Sequence, residues 1–121
     1  MNFRFQRRHH LRKRALFRKV YEEGRFVTNR LLAFHFLANP EGRRRVGFAV
    51  GKKLGGAVLR NRCKRRLREC YRLCQDRLPE GMDCIIVARK AMIDADWQPL
   101  LAAFQDLIRR GRAMVESSRR W

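Results

Sequence analysis

A mixed α/β (α+β) fold is expected for this chain on three observations. Apolar residues recur at helical spacing in three stretches, short apolar or aromatic runs of strand character lie between them, and the two kinds of segment interleave along the chain. Taken in order they read α-β-β-α-β-α, within 121 residues, a length that suits one domain.

The first helix is expected from about Leu11 to Glu23. Leu16 and Val20, and beside them Phe17 and Tyr21, stand four apart and so lie on one face, and Gly24 ends the segment. Arg25 to Ala38 alternates loosely as one strand does, and Asn39-Pro40-Glu41-Gly42 has the composition of a turn. Arg45 to Val50 is the next strand, expected to pair antiparallel with the one before it. A long basic helix follows from Ala57 to about Leu78, and Met82 to Arg89 reads as a nearly continuous buried strand. Trp97, Leu100, Leu101, Phe104, Leu107 and Ile108 then repeat at helical spacing. Asp94, Asp96 and Pro99 suit the start of that last helix, where carboxylates oppose the positive end of the dipole and proline's missing N–H goes unused.

Charge narrows the function. The chain holds 30 Lys+Arg against 11 Asp+Glu, a formal +19, yet 45% of it is hydrophobic, with eight Phe, two Tyr and two Trp. It can bury a core, unlike a disordered basic tail, and it folds against strong self-repulsion that a polyanion would relieve. Nucleic acid is the expected partner. The cations cluster in residues 1–20 and 43–72; the second segment carries a single acid, Glu69. No linker or repeat divides the chain, so one RNA-binding domain is expected over 11–110, flanked by a flexible basic arm (1–10) and a mobile tail (111–121).

Other classes recede. The longest nearly apolar run, Leu31 to Ala38, is far short of the roughly 20 residues of a bilayer helix, and no apolar signal segment follows the basic start, so a cytoplasmic location is expected. Cys63, Cys70, Cys74 and Cys84 form no C-x-x-C pair, and 63, 70 and 74 share a stripe with Leu67, which reads as core rather than metal site. Gly47 to Gly51 encloses too few residues for a nucleotide P-loop, and Lys53 stands where Ser or Thr would hold magnesium. Ser117 and Ser118 are the only serines, and His9, His10 and His35 have no partner at a spacing that implies a catalytic dyad.

The informative stretch is Gly51 to Cys70. At about 100° per residue, 63, 67, 70, 71 and 74 form one apolar seam, while Asn61, Lys64, Arg65, Arg68 and Arg72 form a stripe beside it. Arg60 borders that stripe, and Arg62 and Arg66 point elsewhere. A merely solvated face would interleave acids to limit repulsion between neighbours four apart; this one does not, so it reads as a phosphate-binding face. Lys52 and Lys53 end the preceding strand, and Gly55-Gly56 leave the helix start open as an anion-binding corner. His35, between Phe34 and Phe36, faces either core or ligand by strand alternation.

These residues resemble the bacterial ribonuclease P protein subunit over about Leu11 to Arg110. The most specific run is Lys52-Lys53, Gly55-Gly56-Ala57-Val58, Arg60-Asn61-Arg62, Lys64-Arg65 and Arg68-Glu69. It is supported by Phe17, Val20, Tyr21 and Gly24, by Arg45-Val46-Gly47 and by Ile85-Ile86-Val87-Ala88-Arg89. The resemblance implies a two-layer sandwich, α-β-β-β-α-β-α, with a four-stranded sheet, a left-handed β-α-β crossover and kinship to a domain of a ribosomal protein; one strand more is needed than the residues alone suggest. It implies removal of the 5′ leader from precursor tRNA by a catalytic RNA subunit that uses magnesium, with no metal site or catalytic residue on the protein. By motif, Lys52, Lys53, Arg60, Asn61, Arg62, Lys64, Arg65 and Arg68 would meet the RNA, and Phe17, Tyr21 and His35 would line a cleft for the single-stranded leader. Gly51, Gly56 and His35 depart from the family's usual serine, asparagine and larger aromatic. The competing reading is a ribosomal or general RNA-binding protein with no cleavage partner.

Overall fold

A computed structural model describes residues 10–119 apart from Arg12. The elements run α1 (Arg14–Glu23), β1 (Arg25–Thr28), β2 (Leu32–Ala38), β3 (Arg45–Ala49), α2 (Ala57–Cys74), β4 (Met82–Ala88) and α3 (Trp97–Arg119), with 3-10 turns at Lys52–Leu54, Gln75–Arg77 and Lys90–Met92. The strands form one sheet in the order β1-β2-β4-β3. The fold is therefore mixed α+β with four strands, as the resemblance implies.

Three local expectations change. Arg25 to Ala38 is a hairpin rather than one strand, because the Asn29 carboxamide oxygen accepts from the Leu31 and Leu32 amides at 3.1 and 3.0 Å and turns the chain. Asn29 Nδ2 donates to the Ala103 carbonyl at 2.9 Å and to Asp106 at 3.2 Å, which fixes that turn to α3. Secondly, β2 and β3 are not neighbours. β4 lies between them, antiparallel to β2 and parallel to β3, so the expected antiparallel pair is replaced by a β3-α2-β4 crossover. Thirdly, α3 continues through the expected boundary near Arg110 to Arg119. Gly111 sits inside this helix because the Phe34 ring packs against it, leaving no room for a β-carbon. The expected basic arm lies outside the described residues except for His10.

The sheet has two different faces. On one, Leu32, Phe34 and Phe36 of β2, Val46 of β3, and Cys84, Ile86 and Ala88 of β4 meet Cys63, Leu67, Cys70, Tyr71 and Cys74 of α2 and Leu100, Phe104, Leu107 and Ile108 of α3 in the main core. On the other, α1 covers only part of the sheet. Val20, with Leu16 and Phe17, packs there against Ile85 and its neighbours Leu37, Ala49 and Val87. At about 25 cal/mol per Å² the large face carries most of the burial energy.

Both rims of the sheet engage other parts of the chain. At β3, His10 bridges in parallel to Val46, and the Leu11 amide donates to the Val46 carbonyl at 2.9 Å. At β1, Arg110 donates to the Thr28 carbonyl at 2.9 Å and Arg25 to the Met114 carbonyl at 3.3 Å.

Candidate nucleic-acid interface

The buried residues of α2 are Cys63, Leu67, Cys70, Tyr71 and Cys74, the seam expected from its periodicity. Burying that seam on the sheet sets the roll of the helix. It turns Asn61, Arg62, Arg65 and Arg68 outward as exposed side chains and leaves Arg60 and Lys64 partly covered. Arg66 takes another path, donating to the Met92 carbonyl at 3.3 Å and to the Ala95 carbonyl, and so ties α2 to the lead-in of α3. Arg72, at the end of the stripe, is gripped by Glu69 through Nε to Oε2 at 3.0 Å and a second bond to Oε1. That guanidinium holds the Glu69 carboxyl below its ordinary value, and much of the Arg72 charge is matched within the fold.

The other ion-paired acids among the described residues sit off α2. Arg44 pairs with Glu80, Arg45 with Glu41 and Asp83, Arg109 and Arg110 with Asp106, and Arg112 with Glu116. Among the described residues, Lys52, Lys53, Arg60, Arg62, Lys64, Arg65 and Arg68 have no carboxylate partner. Seven uncompensated cations on one helix and its approach create a field that attracts a polyanion. Arg60 adds a geometric hint, since its Nε is buried without an acceptor among the described residues.

The approach to α2 is built for close contact. Lys52 and Lys53 are exposed on the 3-10 turn after β3. Gly55 has φ +153°, and a β-carbon there would strike Leu59, so this position demands glycine. Gly56 is different: a β-carbon would meet nothing within 4 Å, so only one of the two glycines is required sterically. Gly56 caps α2 with no side-chain hydrogen bond, leaving open space at the positive end of the helix.

The expected aromatic residues divide into two places on the α1 side. Phe17 lies on Gly47 of β3 and faces a cleft of about 130 Å³ that also includes His10, Phe48, Lys64 and Arg68. Tyr21 meets His35 edge-on, with ring centroids 4.9 Å apart at 76°. His35 thus lies on the α1 side of the sheet rather than in the main core, and its face is covered by a residue the sequence reading missed. Phe26 of β1 stacks on it at 5.3 Å and 25°. The only signal for Phe26 is the hairpin register that opposes it to His35, and that register depends on the turn at Asn29. Burial raises the Tyr21 hydroxyl above its usual value and lowers the His35 imidazole below its own. Arg14 and Arg18 are exposed on α1, three residues before Phe17 and Tyr21 respectively, and so about one helical turn away on the same side of the helix.

This surface offers positive charge, an open helix start and exposed ring faces. The four thiols are buried, with burial pushing Cys70 up to about 12 and Cys84 higher still, conditions that suppress nucleophilic thiolate. Among the described residues no three His, Cys, Asp or Glu side chains converge as a metal site. Ammonium and guanidinium groups do not suit magnesium, so this surface does not fit that ion as a resident ligand. No described helix is long and apolar enough to cross a membrane.

Comparison with known proteins agrees with this geometry. A family model described as Ribonuclease P matches residues 5–112. The ribonuclease P protein component of Symbiobacterium thermophilum is 44% identical over 101 residues, covering 83% of this chain and 88% of that one. A Staphylococcus aureus RNase P protein mutant with defective mRNA degradation activity superposes with TM-score 0.80 at 30% identity, over 87% of this chain and 89% of its own. The Thermotoga maritima RNase P protein gives 0.76 at 28% identity, over 84% and 96%.

Proposed function

Because this chain belongs to the ribonuclease P protein family, we propose that it is the RNA-binding, non-catalytic subunit of a ribonuclease P holoenzyme. Membership carries a role in tRNA processing and an RNA partner within a ribonucleoprotein endoribonuclease. The finer assignment concerns which groups meet which RNA. Lys52, Lys53, Arg60, Asn61, Arg62, Lys64, Arg65 and Arg68 neutralise and position phosphates of the catalytic RNA. Phe17, Tyr21 and His35 line the path of the precursor tRNA leader, where unpaired bases stack on rings whatever their sequence. The magnesium needed for cleavage belongs with the RNA phosphates, since the protein surface supplies cations.

One observation carries this reading: the seven cations without carboxylate partners lie on α2 and its approach, next to a cleft shared by Phe17, Lys64 and Arg68. Mixing the protein with its cognate RNA at modest magnesium is expected to accelerate precursor tRNA cleavage over RNA alone; no gain would remove the assignment. A general RNA-binding role uses the same charges. It predicts ribosomal RNA alone in the high-salt copurified complex, where the holoenzyme reading predicts ribonuclease P RNA.

A further inference from the structure

The described residues expose four large hydrophobic side chains, and two of them, Tyr21 at 44% and Phe26 at 60%, contact the same imidazole. Leaving two neighbouring rings in water on a lightly covered sheet face is unfavourable unless they meet a partner. Phe26 is also held in place. Register sets it opposite His35, and the 25° stack fixes the plane of its ring. His35 is engaged on a face by Phe26 and at close range by Tyr21, so the broad surface available to an incoming base belongs to Phe26.

We propose that Phe26 is a further stacking platform for unpaired RNA, at the end of the leader path farthest from α2, and that His35 is a positioning residue that seats it. The proposal rests on the leader-binding reading above. The order β1-β2-β4-β3 places Phe26 three strands from β3, where Phe17, Lys64 and Arg68 line their cleft, a distance of roughly 14 Å. A strand entering at the cationic side reaches Phe26 only after crossing the sheet. Phe26 therefore engages distal leader nucleotides. The imidazole, whose charged form burial disfavours, stacks on it with centroids 5.3 Å apart.

The experiment measures holoenzyme affinity for precursor tRNAs whose leaders are shortened one nucleotide at a time. For long leaders, Phe26→Ala is expected to weaken binding roughly 5- to 150-fold, the range of one lost base stack; for short leaders and mature tRNA it should equal wild type. Phe26→Tyr should retain the long-leader advantage, and Phe26→Leu should lose it, which separates ring stacking from apolar bulk. His35→Phe should rescue the advantage that His35→Ala loses, and the loss on His35→Ala should be clearly smaller in a Phe26→Ala background than in wild type; equal losses in the two backgrounds would remove the positioning role. Circular dichroism of each free variant checks the fold. If Phe26→Ala matches wild type at every length while Tyr21→Ala still weakens long-leader binding, the Phe26 proposal falls and the leader path stands. If affinity is independent of leader length in wild type, the leader reading itself falls.

Discussion

Gly47 of β3 lies beneath the ring of Phe17, so close that a β-carbon at this position would collide with the ring edge. Gly47→Val should therefore lift Phe17 and alter the cleft it shares with Lys64 and Arg68. Expected costs are about 1–3 kcal/mol of stability from overpacking, and a selective loss of precursor over mature tRNA binding. Urea unfolding and paired affinity measurements check this; an unchanged precursor preference in a folded variant would separate Phe17 from the leader.

Arg65 and Arg68 are exposed and have no carboxylate partner among the described residues, so each is available to a phosphate. Replacing either by Ala should weaken assembly with the RNA and reduce the slope of log affinity against log salt by about 1. Binding measured across a salt series gives the slope directly, and an unchanged slope would leave these arginines in solvent.

Glu69 supplies the opposite test. Its carboxylate, held below the ordinary value by the Arg72 hydrogen bonds, matches that guanidinium inside the fold. Glu69→Gln should release Arg72 to the RNA, tightening assembly and steepening the salt slope. The same salt series reads the effect, with a weaker complex as the contrary result.

Asp106 links the β1–β2 turn to α3 through Asn29, and with the hydrogen bond from Asn29 first and Arg110 next its carboxyl lies below the usual 3.8. A carboxyl depressed in the folded state stabilises the fold above its unfolded pKa and loses that contribution as pH falls through the folded one. Denaturant midpoints should decline below about pH 4. Asp106→Asn should be less stable at neutral pH and show a smaller decline.

Cys70 and Cys84 are buried among apolar side chains, and burial pushes the Cys70 thiol up to about 12. At pH 8 both should resist a thiol-disulfide reagent in the native protein and react promptly in denaturant. Rapid native labelling at either residue would place it outside the core.

What was legible in the sequence follows how local each cause is. The α2 seam was readable because one helix lies on one sheet, so Cys63, Leu67, Cys70, Tyr71 and Cys74 obey a single period and the stripe follows by geometry. The split of β1 from β2 was hidden because Asn29 turns the chain with one side chain amid apolar residues. The partner of β3 was hidden more deeply, since β4 arrives only after α2. The end of α3 was hidden for another reason: Gly111 is compatible with a helix here because the Phe34 ring packs into the space that a β-carbon would take. Phe26 needed both the hairpin and its register before it could join Tyr21 and His35.

The parallel bridge of His10 and Leu11 to Val46 at one margin, and the Arg110 cap on the Thr28 carbonyl at the other, bear on self-association. Unoccupied amides and carbonyls along an outer strand invite a neighbouring copy to zip on and seed aggregation. Here the molecule's own groups take up part of that capacity on each flank. Trimming the residues ahead of α1 would reopen the Val46 side, so a shortened chain should be the stickier one.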